Sequence, residues 1–462
     1  KRMHIWIGVE NFAKIERAKI CTNNYTVLVG PNNSGKTFLM QLVQGINKKI
    51  SYMLDETIFD SLLMNKGEAY KEYVLNCQNA EKLTEYINAK LALEKENIVK
   101  EIFGKEIPIG RLYIDILMEE TVYNIALIDI EKEESAEHIE WYEKLNPVTV
   151  DFIHKLNKGI VCIVSKKDTE QTVLKPISIS GSIVKDEMRL LKNSFCSIIE
   201  PDSLFLPASR TGLLLLYREF FANKTDRELS FTVEENQIVE NQKNFASLTQ
   251  PIYEFLRFLQ TYTQKDVRIK RFQKELDFFE EHIIEGRINV DKQGIFSYSS
   301  KDKKDKVPMY LASSMINEVA PLILAITSQN AYGRLIIDEV EASLHPQKQL
   351  ELVRFFNRLN NNGMQLMIST HSDTFVSKLN NLYVLSEIAK INGEDIVRRF
   401  GMEKEDLVSP EKLFVYEFIN QPNGKSVAKE IKPDKKTGYQ FDLFTESALR
   451  LYEEAEQLGE MQ

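Results

Sequence analysis

The stretch Tyr25–Thr37, YTVLVGPNNSGKT, decides the fold of this chain. Its first residues are apolar or β-branched and predict a buried strand, a glycine-rich turn follows, and helical periodicity begins at Thr37. The turn at Gly30–Thr37 fits the pattern G-x₄-G-K-[ST], in which glycines let successive backbone N–H groups point at phosphate oxygens. The start of the next helix adds the positive end of its dipole. The sequence therefore predicts a strand, loop and helix that bind a nucleoside triphosphate.

The side chains of this loop have distinct predicted roles. Lys36 would reach the β- and γ-phosphates, and Thr37 would offer its hydroxyl to Mg²⁺. The expected ligands are therefore ATP and Mg²⁺. The predicted nucleotide-binding residues are Gly30, Asn32, Asn33, Ser34, Gly35, Lys36, Thr37 and Phe38.

A second apolar strand, in the stretch Arg334–Glu341 (RLIIDEVE), ends in carboxylates. In phosphate-loop enzymes an Asp at such a strand end helps to hold Mg²⁺, which predicts that Asp338 shares the metal with Thr37. The adjacent Glu339 can polarise the attacking water as a general base. The sequence leaves two roles open for Glu341, which either supports the metal site or faces water.

A histidine follows a third apolar strand. His371 comes directly after Gln365–Thr370 and about 30 residues after the acidic strand, with a single predicted helix between them. A parallel sheet would bring both strand ends to one edge, where ligands bind in open α/β sheets. We therefore predict that His371 hydrogen-bonds the γ-phosphate, and that Lys36, Glu339 and His371 form the catalytic set.

Composition restricts the class of protein. The 462 residues are 43% hydrophobic and 27% charged, typical of a folded, soluble protein of two or three lobes. No apolar run approaches the roughly 20 residues needed to span a bilayer, and the first residues resemble a strand rather than a signal peptide. We expect a cytoplasmic protein with no membrane contact. The net charge of −9 argues against nonspecific nucleic-acid binding but leaves a local basic groove open. The cysteines have no paired spacing and predict reduced, mostly buried thiols: Cys21, Cys77, Cys162 and Cys196.

Together the motifs resemble the ABC-type ATPases, in the branch that contains RecF, SMC and OLD-like proteins. The matching segments are VENF (Val9–Phe12), GPNNSGKT (Gly30–Thr37), LIIDEVEASLHP (Leu335–Pro346) and STHSD (Ser369–Asp373). The resemblance implies that ATP is held between two subunits, so that hydrolysis depends on a homodimer or a higher homo-oligomer. Ser343, Leu344 and His345 would then lie at the subunit contact.

The segment Leu311–Leu322, LASSMINEVAPL, resembles the signature of that branch. In the family this segment opens a helix whose start meets the γ-phosphate of the ATP held by the partner subunit. The resemblance assigns this contact to Ser313, Ser314 and Asn317. Met315 departs from the family pattern, which commonly has glycine where the backbone approaches the nucleotide.

Three phrases resemble the ATPases of bacterial antiphage systems, PARIS and Septu, more closely still. They are LPASRTG (Leu206–Gly212), ASS in the signature and VYEF (Val415–Phe418). In that group the ATPase assembles into oligomers, recognises a phage-derived trigger, and holds or activates a separate effector. The implied partners are a TOPRIM-like or HNH nuclease or a toxin, and a phage protein. Arg210 would either lie near the nucleotide or support the signature helix from beneath.

Other functions predict different sequence features or activities. A RecF-like DNA repair or maintenance ATPase stays open, and it predicts turnover stimulated by DNA with salt-sensitive affinity. SMC arms need long heptad repeats, which are not found. About 80 residues follow Asn381 without the D-x-D of a TOPRIM nuclease, so we do not expect nuclease activity in this chain. The GTPase-like NKTD at Asn223–Asp226 follows a helical stretch rather than a strand, which favours coincidence.

The predicted fold class is α/β, a P-loop ABC-type ATPase head with a mixed sheet, a helical lobe and an inserted α+β region. Within the lobe, the pattern predicts a polar loop at Asn223–Asn244 and a second helical segment that runs through Leu248–Glu285. The predicted divisions are 1–50 for the part of the head with the phosphate loop, 51–200 for the insertion, 201–286 for the helical lobe, 287–380 for the signature, acidic strand and histidine, and 381–462 for a C-terminal α/β extension.

Overall fold

The apolar strand before the phosphate loop lies in the interior of a nine-stranded sheet. The computed structural model describes residues 2–67, 70–119, 121–129, 159–168, 175–182, 186–199, 201–230, 248–302, 305–441, 449–450 and 452–458. The strands are β1 (Arg2–Phe12), β2 (Ile15–Cys21), β3 (Tyr25–Val29), β4 (Leu63–Lys66), β5 (Tyr70–Leu75), β6 (Arg111–Glu119), β7 (Thr121–Asp129), β8 (Ile160–Asp168), β9 (Lys175–Ser182), β10 (Ser203–Leu206), β11 (Gly286–Val290), β12 (Phe296–Ser300), β13 (Val307–Pro308), β14 (Arg334–Ile337), β15 (Gln365–Thr370), β16 (Leu413–Asn420) and β17 (Ser426–Ile431).

Helices of very different length connect these strands. They are α1 (Lys36–Met53), α2 (Glu56–Leu62), α3 (Cys77–Phe103), α4 (Glu187–Ile199), α5 (Arg210–Ser230), α6 (Gln250–Gln260), α7 (Asp266–Arg271), α8 (Gln273–His282), α9 (Ser314–Thr327), α10 (Pro346–Asn361), α11 (Asp373–Asn392) and α12 (Asp395–Arg399). Within the described ranges, none of them is both long and apolar enough to cross a bilayer. Cys21 and Cys162 are buried as expected and Cys196 is half-buried, whereas Cys77 is exposed.

The main sheet is mixed, with the order β10-β14-β15-β3-β16-β17-β2-β1-β6. Neighbours from β10 to β16 are parallel, whereas β1 pairs antiparallel with both β2 and β6. Val27 and Val29 pack into one hydrophobic cluster and Leu28 into another, so both faces of the sheet are covered. Strands buried on both faces have largely apolar sequences, and this pattern predicts β3, β14 and β15. The mixed α/β fold class is confirmed.

The C-terminal strands β16 and β17 lie between β3 and β2 in this sheet. Residues 413–431 are therefore an integral part of the sheet that carries the phosphate loop. They also contact the loop directly, because the Ser426 hydroxyl donates a hydrogen bond to the Ser34 carbonyl at 2.6 Å. A Cβ placed on Gly30 would lie only 2.7 Å from the Cβ of Phe418. This close packing leaves room for no side chain at Gly30.

A second, five-stranded sheet has the order β4-β5-β7-β8-β9 and is antiparallel throughout. The helix α4 packs against it, and its strands come from the region expected to be an insertion. One strand of that region, β6, instead pairs with β1 at the edge of the main sheet. The region between the phosphate loop and β10 thus contributes to both sheets.

Two local predictions in the helical region are wrong. The helix α5 continues to Ser230, so no loop begins at Asn223, and residues 231–247 of the predicted loop lie outside the described residues. The segment Leu248–Glu285 forms α6, α7 and α8 rather than one helix. The first break arises because the Lys265 N–H donates to the Thr327 carbonyl at 3.0 Å, a tertiary bond that replaces the helical one. The NKTD sequence lies inside α5, as expected for a coincidental match.

Candidate active site

Three parallel strands end side by side at one edge of the main sheet. In the observed register Ile337 of β14 lies opposite Ile368 of β15, and Thr370 of β15 lies opposite Val29 of β3. The residues that follow these strands therefore emerge at the same edge. They are Asp338, His371 and Gly30, which the sequence placed in one site.

A threonine and an aspartate join the loop to the acidic strand. The Thr37 hydroxyl donates to Asp338 Oδ2 at 2.7 Å, and the Ser369 hydroxyl donates to Asp338 Oδ1 at 2.5 Å. The carboxylate is only 3% exposed, so these bonds fix its orientation. Hydroxyl and carboxylate oxygens suit Mg²⁺, which usually takes one or two protein carboxylates and completes its shell with water and substrate phosphates. Thr37 and Asp338 therefore fit a magnesium ion bound together with a nucleotide.

The ammonium group of Lys36 lies inside the phosphate loop. It donates to the carbonyls of Gly30 at 3.0 Å and Pro31 at 2.9 Å, and to the Ser34 hydroxyl at 3.2 Å. The residue is 4% exposed. Burial lowers the pKa of Lys36 from 10.5 to about 8, and the nearby carboxylates of Asp338, Glu339 and Glu341 oppose that shift. Lys36 is thus still mainly cationic at neutral pH and close to its titration range.

Other loop residues differ in accessibility. Asn32, Asn33 and Phe38 are exposed, whereas Ser34 is buried. Gly35 has φ 96°, and a Cβ there would lie 2.7 Å from Ile15, so this position requires glycine. The Phe38 ring stacks on Phe103 of α3, with centroids 5.3 Å apart and planes 16° apart. This aromatic pair borders the loop, and no motif at Phe103 could have indicated it.

Glu339 has a strained backbone. Its φ of 48° is uncommon for a residue other than glycine, and its N–H donates to the Ser369 hydroxyl at 2.9 Å. The side chain is 44% exposed, and its Oε1 lies 3.9 Å from His371 Nε2. Backbone strain of this kind concentrates at functional sites, where the surrounding structure holds a side chain in position. Glu339 is therefore held at the open side of the site, within reach of water.

His371 is half-buried beside Glu339. Burial, together with the charge of Lys36, lowers the pKa of His371 below its ordinary value of 6.5. The imidazole is therefore neutral at neutral pH and has one N–H donor. The backbone N–H of His371 donates to Glu341 Oε1 at 2.5 Å. Glu341 thus does not simply face water, because it positions the chain at His371.

The signature segment shows a division between exposed and buried residues. Ser313 and Ser314 are exposed at the start of α9, where the Ser313 hydroxyl accepts from the Ile316 N–H at 3.3 Å. Asn317 is only 3% exposed, and its amide donates to the Met309 carbonyl at 3.0 Å. Asn317 therefore stabilises the turn before the helix and does not lie on the exposed surface that carries the two serines. This inward orientation follows from its place one turn into a helix whose inner face packs in the core.

The turn after the acidic strand and the arginine of LPASRTG complete the site. Ser343 and His345 are exposed, whereas Leu344 is 7% exposed and packs in the core. Arg210 is 1% exposed and donates to the Asp338 carbonyl at 2.6 Å. Of the two places left open for Arg210, the structure selects the buried one, between α9 and the end of β14.

The sequence matches a known protein family. The family model described as an AAA ATPase domain matches residues 3–376. That range includes the phosphate loop, the acidic strand and the histidine. No curated protein matches the sequence.

Solved structures similar to this chain include SMC head domains. The SMC head domain from Thermotoga maritima is 10% identical, covers 94% of this chain and 100% of its own, and gives a TM-score of 0.33. The Smc head bound to the C-winged helix domain of ScpA is 10% identical, with 93% and 98% coverage and a TM-score of 0.37. The Smc head with an extended coiled coil, bound to a ScpA domain derived from Pyrococcus furiosus, is 11% identical, with 98% and 100% coverage and a TM-score of 0.34. On the strength of the family match over most of its length, this chain is an ATPase that belongs to the AAA ATPase domain family.

Proposed function

We propose that two copies of this ATPase close around ATP, and that the closed assembly controls a separate effector nuclease or toxin in cytoplasmic antiphage defence. The observation that carries the first part is the surface that precedes the signature helix. Tyr310 is 71% exposed and Leu311 66% exposed, directly before the exposed serines Ser313 and Ser314. Large apolar side chains beside a polar helix start are what a subunit contact would bury.

The roles in hydrolysis follow from the geometry at the sheet edge. Backbone amides of the loop and Lys36 bind the phosphates, and Thr37 with Asp338 would hold Mg²⁺. When bound, the metal would neutralise charge on the phosphate oxygens. Glu339 accepts a proton from the attacking water, since its carboxylate is held in place and open to solvent. Neutral His371 donates its single N–H to the γ-phosphate.

The partner subunit would complete each site. Ser313 and Ser314 of the second copy would donate hydroxyl hydrogens to the γ-phosphate, and the start of α9 favours an anion through its dipole. The exposed side of Glu339 would then be covered, which excludes bulk water from the reaction. The five regions predicted from the sequence remain part of this proposal. Three of them, 51–200, 201–286 and 381–462, also contribute strands to the sheet of the ATPase head, namely β6, β10, β16 and β17.

The effector part of the proposal is supported by the resemblance of three phrases to antiphage ATPases. Two of them are close to the site. VYEF lies on β16 and supplies Phe418, which packs against Gly30, and LPASRTG supplies Arg210 beneath the acidic turn. The expected partners remain a TOPRIM-like or HNH nuclease and a phage protein.

The test is phage challenge of cells that carry this gene with its genomic neighbours. The proposal predicts protection by the wild-type gene, and loss of protection with Lys36→Ala or Glu339→Gln. Protection that survives both substitutions would contradict it. Turnover by the purified ATPase that rises with added DNA, and falls with salt, would favour the RecF-like DNA repair alternative instead.

A further inference from the structure

One buried arginine connects the signature helix to the acidic turn. Arg210 begins α5, and its Nε donates to the Glu318 carbonyl of α9 at 3.0 Å. Nη1 donates to the Asp338 carbonyl at 2.6 Å, and Nη2 donates to the Glu339 carbonyl at 3.0 Å. Only a planar guanidinium presents donors in several fixed directions, so lysine cannot reproduce this set of contacts.

The arginine is matched by a buried carboxylate. Arg210 Nη2 lies 2.9 Å from Glu318 Oε1, and the two side chains are only 1% and 3% exposed. The Thr211 hydroxyl donates to the other carboxylate oxygen of Glu318 at 2.5 Å. A buried charge without its partner is strongly destabilising, so the two side chains must move together or not at all.

In the proposed dimer, the two ends of this connection would belong to different nucleotide sites. Glu318 lies one turn after Ser314, so it follows any shift of the signature helix start. The carbonyls at the other end belong to the turn in which Glu339 is held at positive φ. In the proposed dimer the signature of one chain contacts the ATP of its partner, whereas Glu339 serves the ATP of its own chain.

We propose that Arg210 and Glu318 are positioning residues that couple the two ATP sites of the dimer. Contact with the partner's ATP shifts the start of the signature helix α9. Glu318 and Arg210 transmit this shift to the turn after β14, and Glu339 of the same chain then takes up its active position. This inference rests on the proposed dimer. In this arrangement each chain hydrolyses ATP only when its partner has also bound ATP.

The experiment measures steady-state turnover against ATP concentration for the wild type, Arg210→Lys and Glu318→Gln. The coupling predicts a Hill coefficient above one for the wild type and close to one for both variants. It also predicts a fall in kcat of about tenfold or more, the scale expected when a catalytic group is displaced. ATP affinity of the single chain should not change, because neither residue contacts the loop. The double variant should be no worse than either single one, since both remove the same connection.

Two further variants keep the result interpretable. Thr211→Val removes the hydroxyl that donates to the Glu318 carboxylate. It should lower the Hill coefficient even if Arg210→Lys fails to fold. Arg334→Lys alters another fully buried arginine, at the opposite end of β14, and should lower stability while cooperativity is retained.

The outcomes separate this inference from the proposed dimer. A Glu339→Gln variant that stays monomeric by light scattering with ATP overturns both. A wild type that dimerises but turns over without cooperativity, or variants that keep the wild-type Hill coefficient, overturn the coupling alone.

Discussion

The Thr37 hydroxyl donates a hydrogen bond to the Asp338 carboxylate at 2.7 Å, although the two residues are 301 positions apart in the chain. This contact places the phosphate loop and the acidic strand in one site. It also defines two oxygen ligands that suit Mg²⁺.

The general base is tested by Glu339→Gln. The amide keeps the size of the side chain but cannot accept the proton of the attacking water, so phosphate release should fall by about 10²-fold or more. ATP binding should be retained, and light scattering should show a dimer that persists with ATP. Glu394→Gln, an exposed glutamate on the surface far from the sheet edge, is the matched control and should behave as wild type. Unchanged turnover in Glu339→Gln would refute the role.

The pKa of Lys36 predicts a pH dependence of ATP binding. In the protein without nucleotide, burial lowers the pKa of Lys36 to about 8, and a bound triphosphate would raise this pKa again. Below that pH the lysine is charged in both states and affinity should be flat. Above it, binding must take up a proton, so the apparent Kd should rise by up to about tenfold per pH unit. The last proton of a phosphate dissociates near pH 6, about two units lower, so the ligand does not contribute.

The measurement is the ATP affinity of the slow Glu339→Gln variant, from neutral to alkaline pH. Lys36→Arg keeps its charge throughout this range and should give a flat profile. Lys36→Ala should abolish binding. If the arginine variant kept the wild-type slope, the proton would belong to another group.

The metal ligand is tested by Asp338→Asn. Loss of the negative charge should weaken Mg²⁺ binding to the ATP complex by at least about tenfold, the effect usual even for an outer-shell partner. Calorimetric titration of Mg²⁺ into the complex with a non-hydrolysable ATP analogue measures this without turnover. Asp115→Asn, a half-exposed aspartate on β6, should leave the titration unchanged. Equal Mg²⁺ affinity in Asp338→Asn and wild type would remove Asp338 from the metal site.

The contribution of the C-terminal strands is tested by Ser426→Ala. The substitution leaves the buried Ser34 carbonyl without its donor, which should lower the free energy of unfolding by about 1 to 3 kcal/mol. ATP affinity should fall as well, because Ser34 belongs to the phosphate loop. Urea denaturation and ATP titration measure the two effects. Ser409→Ala removes an exposed hydrogen bond to Asn361 and is the control. A stability loss without any change in affinity would mean that β17 supports only the sheet.

Sequence reasoning located the residues that have local signatures. The strands β3, β14 and β15 are buried and largely apolar, and each is followed at once by a residue of the site: Gly30, Asp338 and His371. Parallel pairing then placed Asp338 and His371 at one edge. These features depend on a few consecutive residues, and a sequence shows such features directly.

The missed features depend on contacts between distant residues. Nothing in the sequence of β16 indicates that it pairs with β3, and nothing at Phe103 indicates its stacking on Phe38. The helix expected at Leu248–Glu285 is broken by a bond to Thr327, which helical periodicity cannot reveal. The inward orientation of Asn317 likewise depends on the packing of α9.

The most direct test of the account is a crystal structure of the Glu339→Gln variant with ATP and Mg²⁺. The account predicts a triphosphate in the Gly30–Thr37 loop, with its metal ion in contact with Thr37 and Asp338 and with serines of a second subunit at the γ-phosphate. A triphosphate bound away from the loop, or a loop complex in which Asp338 takes no part in the metal site, would contradict it.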